Sequence, residues 1–130
     1  MEEIFLIEDD PLMTRMYERV LRLNGFSFTI AQNGKEALRV LREAEPLPRL
    51  VLLDIMMPEK NGLDVLRDMK QDLRLKDIPV IVLTNLSAGE EAGLKALSLG
   101  AALYLIKSQY TPKEVVEKIR SILNTQNDTQ

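Results

Sequence analysis

Asp54 closes the run Leu50-Val51-Leu52-Leu53-Asp54, in which four apolar residues lead directly to a carboxylate. Glu8-Asp9-Asp10 follows a second run, Ile4-Phe5-Leu6-Ile7. Thr84 and Lys107 end two more, Val80-Ile81-Val82-Leu83 and Leu103-Tyr104-Leu105-Ile106. Brought together, these carboxylates, the hydroxyl and the ammonium make an apparatus for phosphoryl transfer to an aspartate. Such chemistry requires mainly positioning and neutralisation of charge. In this reading Asp54 is the acceptor. Singly, each residue has a plainer role: Asp54 as a turn former, Asp10 before Pro11 as a helix N-cap, Glu8 as a solvated strand end. Thr84 and Lys107 would be surface residues, Tyr104 packed amphipathic surface, and Met56 and Met57 loop packing. Joint placement carries the argument.

Glu8, Asp9 and Asp54 in one crevice repel each other, and at an effective dielectric of ~20 each close pair costs on the order of a few kcal/mol. A positive charge must therefore sit among them. Oxygen ligands in a shallow site suit Mg²⁺, which keeps several waters and takes one or two carboxylates with phosphate oxygens. Lys107 can bind a phosphoryl oxygen as a point charge, and Thr84 offers a hydroxyl to the same group.

The elements that must hold these residues follow from the pattern. Uninterrupted apolar runs suit strands covered on both faces, hence a parallel sheet between helical layers. Ile4 to Ile7 is the first strand, and Pro11 starts a helix whose Met13, Met16, Tyr17, Val20 and Leu21 recur at helical spacing until Asn24-Gly25 stops it. Phe26 to Ala31 reads as the second strand. Asn33-Gly34 opens a helix with Ala37, Leu38 and Leu41, ending before Pro46 and Pro48. After Asp54, Pro58 and Gly62 bracket a turn into a helix with Leu63, Leu66 and Met69 on one side. Ser87 can cap a helix containing Leu94 and Leu97, which Gly100 stops. Thr111-Pro112-Lys113-Glu114 is a capping box, and Val115, Ile119, Ile122 and Leu123 give the last helix its apolar side. The fold expected is α/β, a doubly wound five-stranded parallel sheet with helices on both faces. One domain occupies residues 1–124, and 125–130 form a frayed polar tail. Right-handed crossovers put the first, third and fourth strands at the centre, with their polar ends on one edge.

At 130 residues, 45% hydrophobic and 28% charged, the chain has the make-up of one soluble domain. A net charge of −3 with scattered Lys and Arg provides no footprint for direct nucleic-acid binding. The lack of Cys and His excludes disulfides, thiolate or imidazole metal sites and every Ser-His or Cys-His catalytic arrangement. No segment approaches the ~18 apolar residues of a membrane span and no signal peptide is evident, so a cytoplasmic location without membrane attachment is expected.

The segments Phe5-Leu6-Ile7-Glu8-Asp9-Asp10-Pro11, Leu52-Leu53-Asp54-Ile55-Met56-Met57-Pro58 with Asn61-Gly62, Val80-Ile81-Val82-Leu83-Thr84 and Tyr104-Leu105-Ile106-Lys107 resemble the response-regulator receiver domains of two-component signalling. The likeness spans essentially the whole chain. It implies the flavodoxin-like receiver fold and a phosphoryl group accepted on Asp54 from a sensor histidine kinase or a histidine phosphotransfer protein. It further implies Mg²⁺ held by Asp9, Asp54 and the Met56 carbonyl, with Glu8 acting through water. By the same resemblance Thr84 is the phosphoryl-sensing hydroxyl, Lys107 the lysine and Tyr104 the rotating aromatic that alters binding of an output protein. Receivers usually carry Pro after the lysine, commonly with a cis bond, whereas Ser108 stands here. A non-proline cis bond costs ~2.5–4 kcal/mol.

Other functions fit less well. An aspartyl-nucleophile phosphatase wants a second carboxylate two positions after the nucleophile, and Met56 stands there. A flavodoxin-type cofactor carrier needs donors for a phosphate in its first loop, and Glu8-Asp9-Asp10 offers acceptors. The reading is a stand-alone receiver, a signalling module and not an enzyme beyond self-phosphorylation and slow self-dephosphorylation. Its alternative is a receiver from a larger regulator or hybrid kinase.

Overall fold

A computed structural model of the chain describes residues 3–57, 60–85 and 89–128. Pro58, Leu86 and Ser87 lie outside the described residues. The strands are β1 (Ile4–Ile7), β2 (Phe28–Ala31), β3 (Leu50–Asp54), β4 (Val80–Thr84) and β5 (Leu103–Ile106). Between and after them come α1 (Pro11–Leu23), α2 (Gly34–Glu43), α3 (Gly62–Gln71), α4 (Gly89–Ser98) and α5 (Pro112–Asp128). The sheet order is β2-β1-β3-β4-β5 and every pairing is parallel. The expected doubly wound sheet is therefore present, with β1, β3 and β4 at its centre.

Side chains alternate across a strand, so each apolar run feeds both faces. Phe5, Ile7, Val51, Leu53, Val80 and Val82 pack with Ala37, Leu41, Val65, Leu66, Met69 and Ala96 from α2, α3 and α4. Ile4, Leu6, Leu50, Leu52, Ile81 and Leu83 pack with Tyr17 and Leu21 of α1 and with Val115, Ile119 and Leu123 of α5. Burial on both faces is what makes these strands unbroken apolar runs. It also fixes the register, because a slip of one residue would exchange the two faces.

Local signals act where the sequence places them. Asp10 caps α1 by accepting from the Leu12 N–H at 2.9 Å. The Thr111 N–H donates to Glu114 Oε1 at 3.0 Å while the Glu114 N–H donates to Thr111 Oγ1 at 3.2 Å, the reciprocal pair of a capping box. Gly25 takes φ +82° behind α1.

One expectation changes, and two further elements gain detail. The second strand starts at Phe28 and not Phe26, because the Phe26 N–H is used to close α1 on the Leu21 carbonyl at 3.0 Å. Leu94 and Leu97 of α4 are 57% and 39% exposed, and small residues, Gly93 and Ala96, face the sheet instead. The final helix, α5, runs through Asp128, and Thr125 Oγ1 donates to the Ser121 carbonyl at 2.9 Å.

Candidate functional site

The carboxyl ends of the central strands deliver the polar residues to one edge. Glu8 follows β1 directly, is fully buried, and continues the ladder through its N–H to the Ala31 carbonyl at 3.0 Å. Asp54 and Thr84 are the last residues of β3 and β4, and both are buried. Lys107 comes immediately after β5.

One carboxylate oxygen from each of Glu8, Asp9 and Asp54 lies within 4.8 Å of the others. Asp9 is the most open of the three. Lys107 reaches into this cluster, its Nζ donating to Glu8 Oε1 at 2.8 Å and standing 3.2 Å from Asp54 Oδ1. Asp54 Oδ1 also accepts from the Met56 N–H at 3.3 Å, and Glu8 Oε2 accepts from the Asp10 N–H at 3.3 Å. The Met56 side chain is 53% exposed beside this loop.

Burial and the Glu8 carboxylate push the Asp54 carboxyl up to about 8, with Lys107 acting in the opposite sense. For Lys107, burial disfavours the ammonium, but its pairing with Glu8 and Asp54 outweighs that and raises its pKa. Tyr17 of α1, 2% exposed, has its phenol raised by burial and then by the charges of Glu8 and Asp54. Its helical spacing marked it only as core, so its place under the acidic cluster was not read from sequence. Oxygen donors at this spacing, with more negative than positive charge, match a hard divalent cation such as Mg²⁺.

Among the described residues, Thr84 Oγ1 is the buried side-chain polar atom with no hydrogen-bond partner. A buried hydroxyl left unpaired costs ~1–3 kcal/mol, which marks a place where another group belongs. Thr84 projects from the same sheet face as Val82 and Tyr104, which are register partners on β4 and β5. Tyr104 is half-buried against the core on that face.

The loop after Asp54 is held from behind. The Gly62 N–H donates to the Ile55 carbonyl at 2.8 Å, and a Cβ at Gly62 would stand 2.7 Å from Ile55 Cα and against the Asp54 carbonyl. Only glycine lets α3 start this close to the site. Beyond Lys107 the chain departs from the usual receiver: the cis bond among the described residues is Glu45–Pro46, so Lys107–Ser108 is trans, and a 3-10 turn spans Lys107–Gln109. Ser108 thus needs no cis peptide to bring Lys107 to Glu8 and Asp54.

The chain matches the response regulator receiver domain family over residues 4–120. It belongs to that family. It is 38% identical over 124 residues to the transcriptional regulatory protein CpxR of Escherichia coli (strain K12), covering 95% of this chain but 50% of that one. The chain thus spans about half the length of the curated relatives it matches. Among solved structures it is similar to the Mn²⁺-bound form of response regulator Rcp1, with a TM-score of 0.75 and 34% identity over 85% of this chain and 84% of that one. The phosphorylated cyanobacterial phytochrome response regulator RcpA aligns at a TM-score of 0.81 and 31% identity, over 96% of this receiver and 95% of RcpA. No described helix of this receiver is long and apolar enough to cross a membrane.

Proposed function

We propose that this receiver accepts a phosphoryl group on Asp54 from a sensor histidine kinase or histidine phosphotransfer protein and uses the modification to change what it binds. The observation that carries the reading is the Asp54 carboxylate at a strand end, inside the Glu8-Asp9-Asp54 cluster and beside the Lys107 ammonium. Attack of an Asp54 oxygen on phosphorus breaks the phosphorus–nitrogen bond of the donor imidazole, whose nitrogen keeps the electron pair. Lys107 would neutralise charge on the transferred group and hold it in line. Asp9, Asp54 and the Met56 carbonyl would hold Mg²⁺, with Glu8 acting through water, and the ion would supply charge neutralisation that keeps Asp54 ionised as a nucleophile.

Thr84 is the sensor in this reading. Its buried hydroxyl has no hydrogen-bond partner among the described residues, and phosphoryl oxygens arriving beside Asp54 would give it one to donate to. Its displacement would free space for the Tyr104 ring and alter the surface built by α4, β5 and α5. The resemblance to the phosphorylated RcpA and Mn²⁺-bound Rcp1 supports both the modification and the metal.

We propose the output as binding of a partner protein by a stand-alone receiver, with no direct contact to nucleic acid and a cytoplasmic location. The half-length match to transcriptional regulators favours a second arrangement, in which the same surface works on an output domain joined to the receiver. The mass of the endogenous protein distinguishes the two. The phosphoryl reading itself is tested by incubating the protein with acetyl phosphate and Mg²⁺ and measuring intact mass. One added phosphoryl group is expected, absent in Asp54→Asn; an Asp54→Asn variant that still gains it would refute the assignment.

A further inference from the structure

Glycine is the poorest helix former after proline, yet Gly93 occupies the middle of α4, the helix that spans Gly89–Ser98. Its surroundings explain the choice. A Cβ built on Gly93 would lie 2.6 Å from Tyr104 Cγ and would also overlap Cδ2 and Cε2 of that ring. The Tyr104 ring therefore rests on the bare backbone of α4, in the volume that any other side chain at 93 would fill. Cγ is fixed to the strand through Cβ, so a small flex of the ring tip cannot relieve the overlap; the ring must rotate about χ1 or the helix must move. Tyr104 is half-buried, which leaves a route outward.

Among the described residues, α4 meets the core with small side chains, Ala92 and Ala96, besides Gly93. Its buried residues include Gly93 and Ala96, while Leu94 and Leu97 face away. These inward-facing residues are small, and the Tyr104 ring of β5 is a large side chain set directly against the α4 backbone at Gly93.

We propose that Gly93 is the positioning residue through which the Tyr104 ring is coupled to α4, so that the ring's rotamer and the helix backbone change together. The coupling rests on the reading of Tyr104 as part of a phosphorylation switch. Movement of Thr84 on the same sheet face would shift the ring, and the ring would carry α4 with it because no side chain intervenes. Gly93→Ala would sever this seat, displacing the ring in the absence of any phosphoryl group.

A double-mutant cycle with a spectroscopic reporter tests this. In an ordinary helix interior Gly→Ala raises Tm, here by about 2–5 °C for a chain of this size. With Tyr104 present the overlap should reverse the sign, giving a fall of about 3–10 °C. In a Tyr104→Ala background the ordinary rise should return. Should Gly93→Ala alone fail to fold, the double variant must fold, and its failure would overturn the proposal. The same sign of Tm change in both backgrounds would overturn it as well.

Fluorine NMR of protein labelled with 3-fluorotyrosine supplies the readout that simple destabilisation would not move. The Tyr104 resonance, identified by its loss in Tyr104→Phe, should shift toward a solvent-exposed position in Gly93→Ala and show a larger solvent isotope effect. An unmoved resonance in the folded variant contradicts the seat. Phosphorylation with acetyl phosphate and Mg²⁺ should move that resonance in the parent chain and move it much less in Gly93→Ala. If intact mass shows phosphoryl uptake while the parent resonance stays in place, the coupling is wrong and the acceptor role of Asp54 survives. If no phosphoryl group is taken up, the functional reading falls, while the cycle still decides the seat.

Discussion

Replacing Asp54 with Asn should stabilise the metal-free protein at pH 8 and do little at pH 4. The Asp54 carboxyl is pushed from 3.8 up to about 8 by burial and by Glu8, so the native state holds its proton more tightly than the unfolded chain does. Stability is therefore fully present below the unfolded value and declines as pH rises toward the folded one. If half of the displacement from 3.8 to about 8 survives relaxation around the pair, ionised Asp54 costs the native state ~3 kcal/mol at pH 8, at ~1.36 kcal/mol per tenfold change in proton affinity. Asn removes that cost while keeping the shape. Lys107 loses one partner in the exchange but retains Glu8 at 2.8 Å, so little is lost on its side. Expressed as Tm, the gain is roughly 10 °C. Thermal unfolding followed by circular dichroism in EDTA, at steps between pH 4 and 8, gives the comparison directly. An Asp54→Asn variant that melts with or below the parent at pH 8, or with the same margin at pH 4, refutes the electrostatic account.

Other outcomes follow from the same cluster. Millimolar Mg²⁺ should raise the parent Tm at pH 7.5 through preferential binding to the native state, and Asp9→Asn should weaken that response; identical responses would remove Asp9 from the metal set. Lys107→Met leaves the buried Glu8 carboxylate without its cation and should cost ~3–5 kcal/mol in urea unfolding near neutral pH, an effect that Mg²⁺ partly restores. Met56 stands two residues after Asp54 with its side chain 53% exposed, and its thioether cannot orient an attacking water. Met56→Asn should therefore speed loss of phosphate about tenfold, equivalent to ~1.4 kcal/mol of barrier, and equal or slower decay would contradict this. By the receiver resemblance the residue two positions after the sensing hydroxyl also borders the approach of that water, here Leu86, so Leu86→Glu should likewise speed the decay measured for the parent.

What could be read from the chain alone was whatever a single segment encodes. Four unbroken apolar runs each ending in a polar residue specify buried strands and the edge at which their chemistry gathers, and right-handed connections then order them. Asp10 and the Thr111-Glu114 box were legible because a cap is satisfied within a few residues. Helical spacing, by contrast, reports that residues share a face and not what lies opposite. Leu94 and Leu97 of α4 are apolar yet exposed, whereas Ala92, Gly93 and Ala96 are turned toward the core and Gly93 meets the Tyr104 ring. Phe26 has the composition of a strand residue, yet its N–H is taken by the end of α1. Lys107 could be assigned to the site, whereas its closer pairing with Glu8 than with Asp54, at 2.8 against 3.2 Å, depends on long-range geometry. The unpaired hydroxyl of Thr84 is a property of the packed core and has no signature in sequence.

The central claim is that Asp54 carries the phosphoryl group. After transfer from a phosphohistidine donor in Mg²⁺, borohydride reduces an aspartyl phosphate to homoserine, and trypsin should release the segment from Leu50 to Lys60. Mass spectrometry of that peptide is predicted to place homoserine at position 54. Unmodified Asp54 together with homoserine derived from Asp9, or from any other aspartate, would contradict the account.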